Sequence, residues 1–411
     1  MKILVINKIP LQKAKRLISV TESERIFTKF SMENTIVEAN YRVTNSNKLL
    51  KYPWDVIILT ASTLSERTST YSLNNLQNFL APLKDHGAYK VAMPQDDYHC
   101  PDDLDKLLND IEIDLLVTIF HKERFLLYPK ISNNSKCSVI QGQTIYFTDT
   151  FNFLRDRFFT PIEKRQYDVF YKATNDPVLP NSLGVKKALL SKSFEKALNL
   201  KDLKTNFPQG KNLIAGNKWF KLMSNSRSIL GSNSGSDFII RNAVLADSFK
   251  KKFADLSTED REGPLDEFNF NGIEKTMLPM TAISPRNIDA ASIGTTQILV
   301  EGSYSNILKP GLDYLETDFN FSNIEYLLEC LNNFKLIRNV TEHAWNTIST
   351  SPDLRFDRIF QHIIEYSNLK KSLKNQINLG PQKFNMFNHR ISQLIRKELY
   401  LVRRGVTSLH W

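Results

Sequence analysis

One stretch, residues 283–308 (ISPRNIDAASIGTTQILVEGSYSNIL), gathers ligand-binding residue types at the spacing of a helix, a buried strand and a polar turn. Ser284 can cap a helix with Pro285 at its first position, where a missing N–H costs nothing. Arg286, Asn287 and Asp289 fall in the opening turns, while Ile288, Ala290, Ala291 and Ser292 supply a narrow face that fits close against a sheet. Gly294 stops the helix, and QILV at 297–300 is a short apolar run of the kind found in buried parallel strands. That run ends in Glu301, Gly302, Ser303, Tyr304 and Ser305, a turn rich in hydrogen-bonding groups. In open α/β sheets, ligands sit outside the carboxyl ends of strands and at helix N-termini, and this unit offers both positions.

Two further clusters could carry chemistry. After the apolar run KVAM (90–93) come Pro94, Gln95, Asp96, Asp97, Tyr98 and His99, a dense polar set at a strand's carboxyl end. It reads equally as a capping turn before Asp102 or as a wall of a substrate cleft, with Asp97 and His99 as candidate reactive groups. LGSNSGSD (230–237) reads as a turn with many exposed N–H and hydroxyl groups, centred on Asn233, Ser234, Gly235 and Ser236.

The elements that must position these residues alternate between two periods. Apolar strand runs recur at 2–7 (KILVIN), 55–60 (DVIILT), 90–93, 115–119 and 138–140, with helical patterns at 73–83 and 101–109 between them. Strands alternating with helices predict a parallel sheet covered on both faces. Residues 10–52 are less regular and are placed only loosely. A second series starts with YDVFY (167–171), followed by a helix from Val185 to about Leu198 and further helices at 323–332, 342–348 and 354–366. A chain of 411 residues exceeds one ordinary core. The expected division is an N-terminal Rossmann-like domain at 1–145, a Phe-rich connector at 146–165, a second Rossmann-like domain at 166–368 and a basic tail at 369–411.

Composition narrows the function classes. Hydrophobic residues make up 41% of the chain, which is globular, and no repeat or low-complexity tract is visible. The start, MKILVINKIP, lacks the apolar core of a secretory signal, and no apolar run approaches the roughly 20 residues that span a bilayer. Cys100, Cys137 and Cys330 form neither a disulfide framework nor a zinc spacing, so a cytoplasmic setting is expected. Of the net charge of +10, nine Lys or Arg against one acid from Lys370 onward place about +8 in the tail. The nearly neutral remainder argues against a nucleic-acid surface.

Four motifs in order carry a family resemblance. The 283–308 stretch with its continuation KPGLDYLETDF, the QDDY patch (95–98), YDVFYKA with LGVKK, and LGSNSGSD together resemble bacterial glycosyltransferases of the GT-B fold. They are most similar to the subgroup of spore-maturation glycosyltransferase-like proteins. The resemblance implies two Rossmann-like domains facing a cleft, with a nucleotide-sugar held mainly on the C-terminal one. It implies that Arg286 and the helix start offset the charge of a diphosphate, joined by Lys172 and Lys187; a solvated helix face is the alternative for the lysines. Asp289 stands where relatives carry a Glu that accepts hydrogen bonds from ribose hydroxyls. The donor-side set then comprises Lys172, Lys187, Ser234, Gly235, Ser236, Ser284, Arg286, Asn287, Asp289, Glu301, Gly302, Ser303, Tyr304 and Ser305.

Two positions depart from the family pattern. Thr281 replaces the first of a pair of carboxylates spaced eight residues apart, and Asn233 stands where a carboxylate is expected, which leaves the anomeric outcome open. No metal or other cofactor is demanded, since helix dipole and lysines would replace an ion. The implied function is sugar transfer to a glycan acceptor in bacterial surface polysaccharide (O-antigen or capsule) biosynthesis. Alternatives are a CMP-Kdo-type acidic-sugar transferase, a sugar-nucleotide epimerase and a non-catalytic nucleotide-sugar-binding protein. Residues 381–411 have apolar positions near helical spacing with Arg and Lys between them. They read either as a packed terminal helix or as a peripheral contact with the inner face of the inner membrane, suited to a lipid-linked glycan acceptor.

Overall fold

The computed structural model describes residues 1–8, 18–42, 44, 46–173, 179, 182–199, 202–210, 212–258, 260–262 and 273–377. Residues 1–357 form one compact unit and 358–411 a second, of which the described part lies in the helix Asp357–Ile377. The basic tail segment 381–411 and the residues Thr174 and Asn175 lie outside the described residues.

Within the first unit, a six-stranded parallel sheet has the order β2-β1-β3-β4-β5-β6. Its strands are β1 (Lys2–Asn7), β2 (Thr35–Asn40), β3 (Val56–Leu59), β4 (Tyr89–Ala92), β5 (Leu115–Thr118) and β6 (Ser138–Gln141). Every residue of β3, β4 and β5 is buried, which is why these segments are mostly apolar rather than alternating; the charged exception is Lys90 in β4, whose Nζ donates to Ile111 O at 2.6 Å. Strand β2 lies in the segment that the sequence pattern places only loosely; its side chains are mostly exposed at the sheet edge, so no apolar run marks it. The helices between strands start where their caps allow. Ser69 accepts from the Ser72 N–H to open Thr70–Leu80, and Pro101 with Asp102 and Asp103 opens Pro101–Asp110.

The second sheet, also parallel, has the order β13-β12-β9-β7-β8. It contains β7 (Tyr167–Phe170), β8 (Thr205–Asn206), β9 (Ser226–Gly231), β12 (Thr296–Val300) and β13 (Leu315–Thr317). The Phe-rich connector is largely a helix, Asp149–Phe158, that buries Phe151, Leu154 and Phe158 and stacks Phe158 on Phe220 at 5.5 Å. The chain returns to the first half near Phe356, whose ring meets Phe27 at 5.1 Å and Tyr146 at 5.0 Å.

One element departs from the expected plan. Residues 230–237 are not a free turn: β9 ends at Gly231, and β10 (Ser234–Ile240) opens an antiparallel ribbon with β11 (Ile273–Ala282). The ribbon and the helix Ala243–Lys252 leave the second sheet and dock on the first half. The Cys100 N–H donates to Ile240 O at 2.7 Å, Ile240 N–H to Tyr98 O at 3.1 Å, and Asp102 N–H to Arg241 O at 3.1 Å. Phe238, Ile240, Ala243, Ala246 and Phe249 pack with Leu73 and Cys100.

Candidate functional site

The helix Pro285–Ser292 begins with a capping box: the Ser284 hydroxyl accepts backbone N–H groups of the first turn, and Asn287 Oδ1 accepts from the Ser284 N–H at 2.8 Å. Asn287 is buried, and its amide also donates to Gln297 Oε1 at 2.8 Å, so its hydrogen-bonding groups are committed to the helix start and to β12. Arg286 projects back toward the end of β7. Its Nη2 donates to Lys172 O at 2.7 Å, and its guanidinium carbon lies 5.1 Å from the Tyr171 ring centre and 5.6 Å from that of Trp219. A cation over two aromatic faces is held in one orientation while keeping its charge.

Asp289 sits one turn further and is only 1% exposed. Trp219 Nε1 donates to its Oδ2 at 3.0 Å, whereas Oδ1 is buried with no partner. Burial pushes its carboxyl up to about 7, against the opposing Trp219 bond and Arg286 charge. A cavity of about 170 Å³ is lined by Lys172, Leu213, Trp219, Ser284, Arg286 and Asp289. Its apolar and aromatic walls, with a few polar groups converging from one side, suit an organic ligand carrying hydroxyls and an anion.

The second cation group is reached through the ribbon. Lys187 lies on the helix Leu183–Ala188, and its Nζ donates to Gly235 O at 3.1 Å. Burial pulls its ammonium down to about 8, while the Asp96 and Asp237 carboxylates work the other way. Gly235 has φ +124°, and a Cβ there would lie 1.9 Å from Met280 O, so no other residue fits this close crossing. Ser234 is paired in the ribbon, and the Ser236 hydroxyl bonds the backbone of Phe238 at a bulge. Lys172 Nζ donates to Gly210 O, so this lysine straps the loop after β8.

Asn233 is 6% exposed, and its Oδ1 accepts the Tyr304 N–H at 2.9 Å. A Cβ on Gly302 would lie 1.7 Å from Asn233 Nδ2, so this glycine leaves the space the amide fills. Tyr304, Ser305 and Asn306 all take positive φ (45°, 56° and 58°), and Asn233 ties down the start of that run. Tyr304 is buried with its hydroxyl on Val300 O, and Ser305 Oγ accepts the Ile283 N–H at 3.0 Å. Glu301, Gly302 and Ser303 remain exposed beside this turn. Asn233 therefore occupies a structural hydrogen bond, and the structure does not bring it to the cavity that holds Asp289.

On the first half, Asp97 is fully buried and accepts from the Thr118 hydroxyl, with its carboxyl pushed up by burial. His99 is partly buried, and desolvation pulls its imidazole down to about 4. Its neighbour Asp96 is the exposed carboxylate of the patch. Arg67, which the sequence pattern does not single out, is 1% exposed and binds four carbonyls: those of Leu64, Gln95, Asp96 and His99, at 2.7–2.8 Å. It shapes the whole patch from beneath. Among the described residues, no group of three or more His, Cys, Asp or Glu side chains is placed to hold a metal ion, and no helix is long and apolar enough to cross a membrane.

No family model and no curated protein sequence matches the chain. Solved structures do. An α-glucosyltransferase in complex with UDP-glucose and DNA containing an abasic site superposes at a TM-score of 0.52 with 11% identity, over 89% of this chain and 99% of that one. Anabaena HepE in complex with UDP and glucose matches at 0.43 and 10% identity, over 89% and 99% of the two chains. AviGT4, a glycosyltransferase involved in avilamycin A biosynthesis, matches at 0.42 and 8% identity, over 89% and 98%. The fold is that of the GT-B glycosyltransferases, two parallel α/β halves in one chain.

Proposed function

We propose that the protein transfers a sugar from a nucleotide-sugar to an acceptor hydroxyl, with the donor on the second half. The observation that carries this reading is the unpartnered Oδ1 of Asp289 at the wall of a cavity that also holds Arg286. A buried carboxylate oxygen without a donor is costly unless a ligand hydroxyl supplies one. Here the ribose would bond Asp289, and the diphosphate would lie toward Arg286 and Lys187, whose charges offset that of the leaving group. The fold shared with an α-glucosyltransferase supports the reaction class. A metal-independent reaction, a place in surface polysaccharide synthesis, the kinship with the spore-maturation subgroup and a membrane-facing tail at 381–411 belong to the same proposal and rest on sequence pattern.

Calorimetric titration with UDP, CMP, GDP and dTDP and their sugars tests the reading. Arg286→Ala and Asp289→Ala each weaken the best-bound nucleotide about tenfold to a hundredfold, the loss of one or two charge-assisted hydrogen bonds. Unchanged affinity in both variants would overturn the site.

A further inference from the structure

We propose that Asp96 is the group that receives the acceptor's proton during transfer. This rests on the glycosyl-transfer reading above and adds the reactive group that reading leaves unassigned.

Asp96 lies in the loop after β4, at the carboxyl end of the first sheet. Its φ of +52° is one that residues other than glycine rarely adopt, and the surroundings hold it there. Arg67 Nη2 grips the Asp96 carbonyl at 2.7 Å and that of Gln95 at 2.8 Å, from a fully buried position. The Tyr98 hydroxyl donates to Asp96 Oδ1 at 2.7 Å. One carboxylate oxygen is thereby fixed, and Oδ2 has no hydrogen bond among the described residues while the side chain stays exposed.

Three other carboxylates at this end of the first sheet are buried. Glu24 is 4% exposed and accepts from Thr60, from the Ser62 N–H at 2.9 Å and from the Ser62 hydroxyl at 2.6 Å. Glu66 is equally buried among Lys8, Tyr41 and Arg42. Asp97 is sealed beneath the loop on Thr118. Asp96 alone of this set combines fixed geometry with an open oxygen.

Its charged surroundings come from both halves. Tyr98, Asp97, His99 and Arg67 surround it from its own side. Lys187, anchored on Gly235, faces it from the donor side within electrostatic range. A carboxylate within electrostatic range of Lys187, the cation proposed for the leaving diphosphate, is placed to meet an approaching hydroxyl.

In the step, the acceptor oxygen forms a bond to the anomeric carbon. The bond from that carbon to the phosphate oxygen breaks, and its electron pair leaves with the nucleoside diphosphate. The acceptor proton passes to Asp96 Oδ2. With water as acceptor, the same step releases free sugar and nucleotide.

The test uses the full chain, UDP-glucose as probe and water as acceptor, reading UDP release. Asp96→Asn keeps the Tyr98 bond and tolerates positive φ, so the loop is preserved. We expect release to fall by about 10²–10⁴-fold, the usual scale for loss of a general base. UDP affinity should stay within about twofold. A variant rate within about threefold of wild type overturns the role, as does a loss explained by weaker UDP binding. If the wild type neither binds nor cleaves UDP-, CMP-, GDP- or dTDP-sugars, the functional reading falls and this inference falls with it. If the wild type is active and Asp96→Asn equally so, only the role of Asp96 falls.

Discussion

Asp289 and Asp96 are both aspartates near the candidate cleft, and burial assigns them different work. Asp96 is open to solvent. The Asp289 carboxyl is pushed up to about 7 from the ordinary aspartate value of 3.8, so between those values the folded chain holds a proton that the unfolded chain has lost. Its contribution to stability is present at low pH and is lost as pH rises toward 7. Asp289→Asn should therefore be increasingly stabilising relative to wild type as pH is raised from 5 to 7, measured by urea unfolding. A pH-independent difference would show that this carboxyl is ionised throughout. Ligand binding has the opposite linkage: a ribose hydroxyl donating to Oδ1 favours the carboxylate, so nucleotide binding near neutral pH should release about half a proton. Calorimetry in two buffers of different ionisation enthalpy reads that proton directly. A binding enthalpy independent of buffer would remove Asp289 from the ligand's contacts.

The turn formed by residues 301–306 shows how an element can hide its logic from the sequence. Asn233 looks like a substituted reactive group when only its motif is considered. In the structure its amide is wedged against Gly302 and caps the Tyr304 N–H, so its role is set by a residue far along the chain. Asn233→Ala leaves that buried N–H unpaired and should cost about 1–3 kcal/mol in chemical denaturation. Asn233→Asp keeps the acceptor and should not raise nucleotide release. A rate increase in Asn233→Asp would return the turn to the reaction centre. What was legible follows the same division between local and distant causes. The runs KILVIN, VIIL and QILV and the Ser284-Pro285 start announce their elements, because burial on both faces and helix capping are local demands. Asp96 and Asp97 are adjacent and chemically identical, and only the loop's path decides which is exposed. Arg67 sits in the polar run SERTST and reads as a surface residue, although four carbonyls converge on it. The ribbon was illegible because Ser, Gly and Asn suggest a turn and its partner strand lies far along the chain, with Ser234 against Ala282.

At the scale of the whole first unit, the ribbon changes what the two halves can do. Two α/β halves joined only by a connector are expected to hinge around their cleft. Here the ribbon starts beside Lys187 at Gly235 and ends hydrogen-bonded to Tyr98, Cys100 and Asp102, a few residues from Asp96. The helix Ala243–Lys252 adds Ala243 N–H to Asp103 Oδ2 at 2.7 Å, and Asp247 Oδ2 accepts the Thr70 N–H at 2.8 Å. Arg241 spans Asp102, Glu274 and Leu126 O. The exposed ion pairs contribute little alone, so the apolar contacts of Phe238, Ile240 and Phe249 and the backbone bonds dominate. The ribbon is thus a strut between Lys187 and the segment that follows Asp96, and the expected consequence is a cleft that stays at one width. Spin labels at Met32→Cys and Tyr326→Cys, exposed sites on the two halves, report the separation in a Cys137→Ser background. A single narrow distance distribution, unmoved by UDP, is expected. Replacing both Phe238 and Phe249 with Ala should broaden it and slow nucleotide release while leaving UDP affinity near its wild-type value, because the donor groups remain on one half. A wild-type distribution with two populations that collapse on adding UDP would show that the halves hinge despite the ribbon.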